Sequence, residues 1–159
     1  MKFEVKKVRS DYAKDFGYVI YTAWEETYRG LMPDSILDGR SLERWVQKAR
    51  EYPENKYIAF ENGIAVGIVG FLPKSRDLVT DKNSGEIVAL YVLKEYQKQG
   101  IGKALMNKAL KDIAKSKVTL FVLKGNENAM NFYKHMGFEF TGKEIYDNGL
   151  TEFEMILIK

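Results

Sequence analysis

Residues 86–103, EIVALYVLKEYQKQGIGK, decide how this chain is read. Ile87, Val88, Ala89, Leu90, Tyr91 and Val92 form an almost continuous apolar run, as a buried strand requires. A polar loop, Lys94 to Gln99, follows it. Gly100-Ile101-Gly102 then opens a segment in which Ile101, Leu105, Ala109 and Ile113 are spaced for one helical face. A strand that turns through glycines into a helix builds an anion site. The first helical N–H groups have no intrahelical partners, and the helix dipole favours negative charge beside them. Glycines at 100 and 102 let a bulky phosphate approach the backbone, and Lys98 and Lys103 add positive charge. The stretch predicts a phosphate or pyrophosphate cradle.

Missing residues narrow the choice of cradle. A P-loop needs glycine where Gln97 stands and Ser or Thr where Ala104 stands, so its Mg²⁺ ligand is absent. A dinucleotide fingerprint needs a third glycine where Leu105 stands. Composition removes other classes. The 159 residues suit one domain over 1–159, with ordinary apolar and charged fractions. With no cysteine there is no disulfide, thiolate metal site or cysteine nucleophile. The single histidine, His135, argues against a zinc centre or a Ser-His-Asp triad, and no metal is expected. A net charge of +3 suits an anionic cofactor, without the basic block that nucleic acid would call for. No apolar run is long enough for a bilayer and the charged start is no signal peptide, so a cytoplasmic protein without membrane contact is expected.

The rest of the chain reads as alternating strands and helices. Residues 2–8 predict a strand. Ser10 or Asp11 is expected to cap a helix carrying Tyr12, Phe16, Val19, Ile20 and Ala23, weakened by Gly17 and stopped by Gly30. A short helical piece follows from Pro33-Asp34 to about Leu37, and Ser41 caps a helix carrying Leu42, Trp45, Val46 and Ala49. Strands at 57–60 and 64–72 flank the hairpin signal Asn62-Gly63. Residues 73–85, PKSRDLVTDKNSG, predict a polar, mobile connection. After the 86–93 strand and a helix reaching about Ser116 come a strand at 118–123, a helix ending at Gly137, and a hairpin of 138–146 with 151–158. The order predicts an α/β domain with a mixed sheet.

Two motifs then agree. Gln97-x-x-Gly100-x-Gly102 lies between strand and helix, and Asn126, Ala129, Phe132, Tyr133, Gly137 and Phe138 stand in KGNENAMNFYKHMGF as N-x-x-A-x-x-F-Y-x-x-x-G-F. Together they resemble the GCN5-related N-acetyltransferase (GNAT) family over residues 86–138, and the strand order extends the likeness. The resemblance implies a mostly antiparallel mixed sheet with two splayed parallel central strands and flanking helices. Acetyl-CoA would lie between the strands at 86–93 and 118–123. Backbone groups of Leu90, Tyr91 and Val92 would bind its pantetheine arm. The amides from Lys98 through Gln99, Gly100, Ile101 and Gly102 to Lys103, beside Gln97, would hold the pyrophosphate. Asn126 would hydrogen-bond the cofactor, with Phe132 and Tyr133 beside the thiol. Residues 9–55 correspond to the variable acceptor side.

The implied reaction moves an acetyl group to a primary amine, on a small molecule or an exposed amino group, by direct attack in a ternary complex. It needs a proton acceptor, an oxyanion donor and an acid for the thiolate. The resemblance puts Glu86, the Val92 N–H and Tyr133 in those roles; in some relatives solvent alone takes the proton. On the first helix, Trp24 and Tyr28 read as core packing, and Glu25 and Glu26 either attract a cationic amine or form its wet face. The alternatives are a CoA-binding sensor or interaction protein without catalysis on the same fold, and an acyltransferase for a protein terminus or aminoacyl-tRNA. The resemblance also makes a homodimer the expected assembly.

Overall fold

The computed structural model describes residues 2–159. Its elements are β1 (Phe3–Lys7), α1 (Ala13–Tyr28), α2 (Asp34–Asp38), α3 (Leu42–Glu51), β2 (Lys56–Glu61), β3 (Ile64–Leu72), β4 (Gly85–Val92), α4 (Ile101–Asp112), β5 (Lys117–Leu123), α5 (Glu127–His135), β6 (Glu139–Asp147) and β7 (Leu150–Ile158). The strands form one mixed sheet in the order β1-β2-β3-β4-β5-β7-β6. β4 and β5 are parallel, whereas β1–β2, β2–β3, β5–β7 and β7–β6 are antiparallel. The chain divides into two compact units: residues 2–70 with 89–109, and residues 71–88 with 110–159.

In the first unit, α1 places Phe16, Val19, Ile20 and Ala23 on one face, and they share a core with Ile58 of β2, Ile68 of β3 and Ala49 of α3. Gly17 is where α3 comes closest, since a Cβ there would lie 2.6 Å from Val46 Cγ2 and 2.9 Å from the Val46 nitrogen. The glycine that weakens the helical pattern is thus a packing site. The expected side-chain cap of α1 is not formed. A 3-10 turn, Ser10–Tyr12, leads into the helix. Asp11 is instead tied to Arg9 at 3.0 Å, and the Ser10 hydroxyl donates to the Arg50 carbonyl at 3.2 Å. Ser41 does cap α3, accepting from the Arg44 amide at 3.2 Å. The Asn62-Gly63 turn has φ of +51° and +80°, the left-handed pair that a tight hairpin requires.

In the second unit the parallel register holds for Gly85↔Val118, Glu86↔Thr119 and Ile87↔Leu120, and among the described residues it goes no further. All of β5 pairs with β7, from Lys117↔Ile158 to Leu123↔Glu152. α4 stops at Asp112, short of the predicted end. The Lys159 ammonium reaches the carbonyl oxygens of Leu110 and Ile113 there and gives these two acceptors a donor.

Residues 73–84 differ most from expectation. The predicted mobile connection is tied down: the Arg76 amide donates to Glu86 at 3.1 Å, and the Thr80 amide donates to Glu154 at 2.9 Å. Ser75 and Ser84 join through backbone and hydroxyl bonds, and Lys143 reaches the Leu78 carbonyl. Glu86 and Glu154 are fully buried, so their carboxylates must be hydrogen-bonded, and the polar segment supplies the donors.

Candidate active site

The cradle expected between strand and helix lies wholly in the first unit. β4 ends at Val92, and the backbone turns through Lys94–Tyr96 in a 3-10 turn. The Gln97 side-chain amide donates to the Val92 carbonyl at 3.0 Å, which closes this turn onto the strand end. The Lys94 amide donates to the Glu26 carboxylate of α1 at 3.0 Å, and the Leu93 amide to the Val66 carbonyl at 2.9 Å. Lys98 and Gly100 then adopt φ of +64° and +88°. Left-handed backbone is unfavourable for lysine, so the turn is fixed by its surroundings rather than by local preference. Ile101 is buried and anchors the start of α4, while Lys98, Gln99, Gly100 and Lys103 are exposed. The free N–H groups of a first helical turn, with two lysines on the same loop, can hold an anion.

The strand leading into the cradle is less covered than its apolar run suggests. Ile87 is buried, but Val88 is 45% exposed, and Ala89, Leu90, Tyr91 and Val92 are half-buried. Tyr91 meets Tyr28 of α1 edge-on, with the two hydroxyls 2.9 Å apart. Trp24 and Tyr28 also pack edge to face, their centroids 5.1 Å apart. Glu25 is taken by Arg29 at 2.6 and 2.7 Å and by Arg40 at 3.3 Å. The Arg29 guanidinium holds the Glu25 carboxyl below its usual range, so its charge is already answered. Glu26 caps the cradle turn. Glu25 is therefore no free attractor for an amine, whereas the exposed Glu26 spends one carboxylate oxygen on the cradle turn.

The second unit contains Glu86, Asn126, Phe132 and Tyr133. Glu86 accepts from Arg76 Nε at 3.1 Å and from Nη2 at 2.5 Å, besides the Arg76 amide. These bonds push the Arg76 guanidinium above its ordinary range. Asn126 is the N-cap of α5, its side chain accepting from the Ala129 amide at 3.4 Å. Tyr133 packs between Phe132 and Phe138, with centroids 5.7 and 6.0 Å away. His135 is exposed on the last turn of α5.

Three further residues of this unit were not anticipated from the sequence. Arg76 lies in a stretch without periodicity, and no local signal marks it. Glu152 and Glu154 alternate with Phe153 and Met155 in β7, and that alternation places two acids on one face of a strand buried at its centre. Burial pushes the Glu152 carboxyl up; Arg76 opposes the shift, while Asp147 and Glu86 add to it.

Comparison with known proteins bears on the family and the fold. Residues 17–138 match the acetyltransferase (GNAT) family. An N-alpha-acetyltransferase of Sulfurisphaera tokodaii is 32% identical over 105 residues, covering 60% of this chain and 62% of its own length. A spermidine N(1)-acetyltransferase of Thermoplasma acidophilum is 24% identical over 147 residues, covering 87% and 89%. The crystal structure of the PaiA N-acetyltransferase of Thermoplasma acidophilum, in complex with coenzyme A, superposes with a TM-score of 0.81 at 20% identity over 100% of both chains.

Proposed function

Because the chain belongs to the acetyltransferase (GNAT) family, we propose that it is an acetyl-CoA-dependent N-acetyltransferase that acetylates a primary amine by direct attack. The observation that carries this reading is the cradle: left-handed backbone at Lys98 and Gly100 running into the anchored first turn of α4. Its exposed amides and lysines fit a diphosphate. The end of the parallel register at Ile87↔Leu120, with the half-exposed strand beyond it, supports pairing of a pantetheine arm with the backbone of Leu90, Tyr91 and Val92.

In this reading Gln97 holds the turn in place. The amides of Lys98, Gln99, Gly100, Ile101, Gly102 and Lys103 take the diphosphate. Asn126 and Phe132 contribute from α5. When bound, acetyl-CoA supplies an activated carbonyl and a thiolate leaving group. The Val92 N–H stabilises the negative charge that builds on the carbonyl oxygen. The Tyr133 hydroxyl donates a proton to the departing sulfur. Glu86 is the proton acceptor suggested by its position on the strand, and it can act so only by giving up bonds to Arg76. The acceptor is a small primary amine or an exposed amino group, in keeping with relatives named for an N-alpha-acetyltransferase and for spermidine.

Replacing Gly102 by valine puts a branched side chain on the first turn of α4. Calorimetric titration with coenzyme A should show binding lost, with the far-ultraviolet dichroism unchanged; retained affinity would remove the cradle from the argument. Thiol release from acetyl-CoA across a panel of amines separates the enzyme from a CoA-binding protein without catalysis.

A further inference from the structure

Side chains alternate across a strand, so the registers β4–β5 and β5–β7 sort the second unit into two faces. Ile87, Leu120 and Met155 fall on one, all buried, together with Leu157, which lies against Gly137 at the end of α5. Glu86, Thr119, Glu152 and Glu154 fall on the other. From β4 and β7 this second face carries three carboxylates, and β6 adds Asp147, opposite Leu150, and Glu139, opposite Ile156.

Two of the three are saturated. Glu86 is fully buried and held by Arg76. Glu154 is fully buried too, and accepts from the Thr80 amide at 2.9 Å and the Thr141 hydroxyl at 2.6 Å. Glu152 differs. It is half-buried, between Leu123 of β5 and Ile145 of β6, and its carboxylate makes no hydrogen bond among the described residues. The charged groups acting on it are Arg76 from the 73–84 segment, Glu86 from β4 and Asp147 from β6. A half-buried carboxylate with open acceptor positions can take donors from outside the chain. An ammonium group offers three such donors and the opposite charge.

We propose that Glu152, in place of the Arg76-bound Glu86, receives the ammonium group of the acceptor and takes one of its protons. This role rests on the acetyl-transfer reading given above. The step balances without a further reactant. One N–H proton passes to the Glu152 carboxylate, and the freed lone pair forms the C–N bond as the C–S bond breaks. The second excess proton on nitrogen leaves to the sulfur by way of the Tyr133 hydroxyl, giving amide and thiol. Burial raises the Glu152 carboxyl above the usual carboxylate range, which brings its basicity closer to that of a useful proton acceptor.

The test measures thiol release from acetyl-CoA, with spermidine or a peptide bearing a free α-amino group as acceptor, between about pH 5 and about pH 9. Glu152→Gln should lower kcat/KM by about 10²-fold and abolish the fall in rate on the acid side. Calorimetry should find its affinity for coenzyme A unchanged. Glu152→Asp, which retains the charge, should keep the acid limb at a reduced rate, and it serves if the glutamine variant does not fold. A Glu152→Gln enzyme with normal rate and a normal acid limb overturns the proposal while leaving acetyl transfer intact. So does an acid limb that disappears in Glu86→Gln and persists in Glu152→Gln. A wild-type protein that binds no coenzyme A takes down the parent reading, and this one with it.

Discussion

At Glu86 a fully buried carboxylate meets the amide, Nε and Nη2 of a single residue, Arg76, whose side chain is half-exposed. Glu86→Ala removes the acceptor from all of them. Water can rehydrate the exposed part of the guanidinium, so the loss falls short of that for a wholly buried pair. A cost of about 2–3 kcal/mol is expected, read from the shift in urea midpoint at constant slope. Glu86→Gln keeps one amide acceptor and should lose less. Tyr133 invites the opposite experiment. Its ring packs against Phe132 and Phe138, and phenylalanine preserves those contacts. Tyr133→Phe should change stability by about 1 kcal/mol or less while slowing thiol release about 10²-fold, with coenzyme A affinity retained. An unchanged rate would remove the acid role from Tyr133.

Among the elements, α1 and α3 set propensity against packing. Alanine is a better helix former than glycine by about 1 kcal/mol, so Gly17→Ala should stabilise an isolated α1. In the folded chain the new Cβ meets the Val46 backbone nitrogen at 2.9 Å, which cannot swing aside as a side-chain end can. Overpacking costs about 1–3 kcal/mol, so the variant should melt below the wild type, and a higher melting temperature would show that α3 yields. The same residue shows what a sequence can and cannot carry. Helical spacing announced α1 and α3, and apolar runs with turn residues between them announced β2, β3, β5 and the last hairpin, because each signal lies in the element's own residues. It could not say that Gly17 was needed by α3. Nor could it end α4, because Ile113 continues the apolar stripe and is buried just outside the helix. The cradle was legible because strand, glycines and helix are contiguous. Arg76 was not, since it lies in a connection without periodicity, and Glu152 was not, since its neighbours depend on a strand register joining residues far apart in the chain.

On the scale of the whole molecule, acidity acts in two directions. Arg29 lowers the Glu25 carboxyl and Lys117 lowers that of Asp81. Such groups favour the folded chain above the ordinary carboxylate range, and that contribution fades as pH falls through their folded values. Glu152, raised by burial, has the reverse sign. Between its unfolded and folded values the native state binds the extra proton, so stability declines as pH rises through that window. Glu152→Gln should therefore melt above the wild type near neutral pH, and the gap should close in acid; equal melting temperatures at all pH values would deny the shift. The fastening of residues 73–84 has a consequence for handling the protein. Lys74, Arg76 and Lys82 make this segment look like ready fodder for trypsin, yet a protease must draw a stretch of chain into its cleft, and here Glu86 and Glu154 hold the amides of Arg76 and Thr80. Digestion should spare these bonds in wild type and nick them in Glu154→Ala, where the tether is cut.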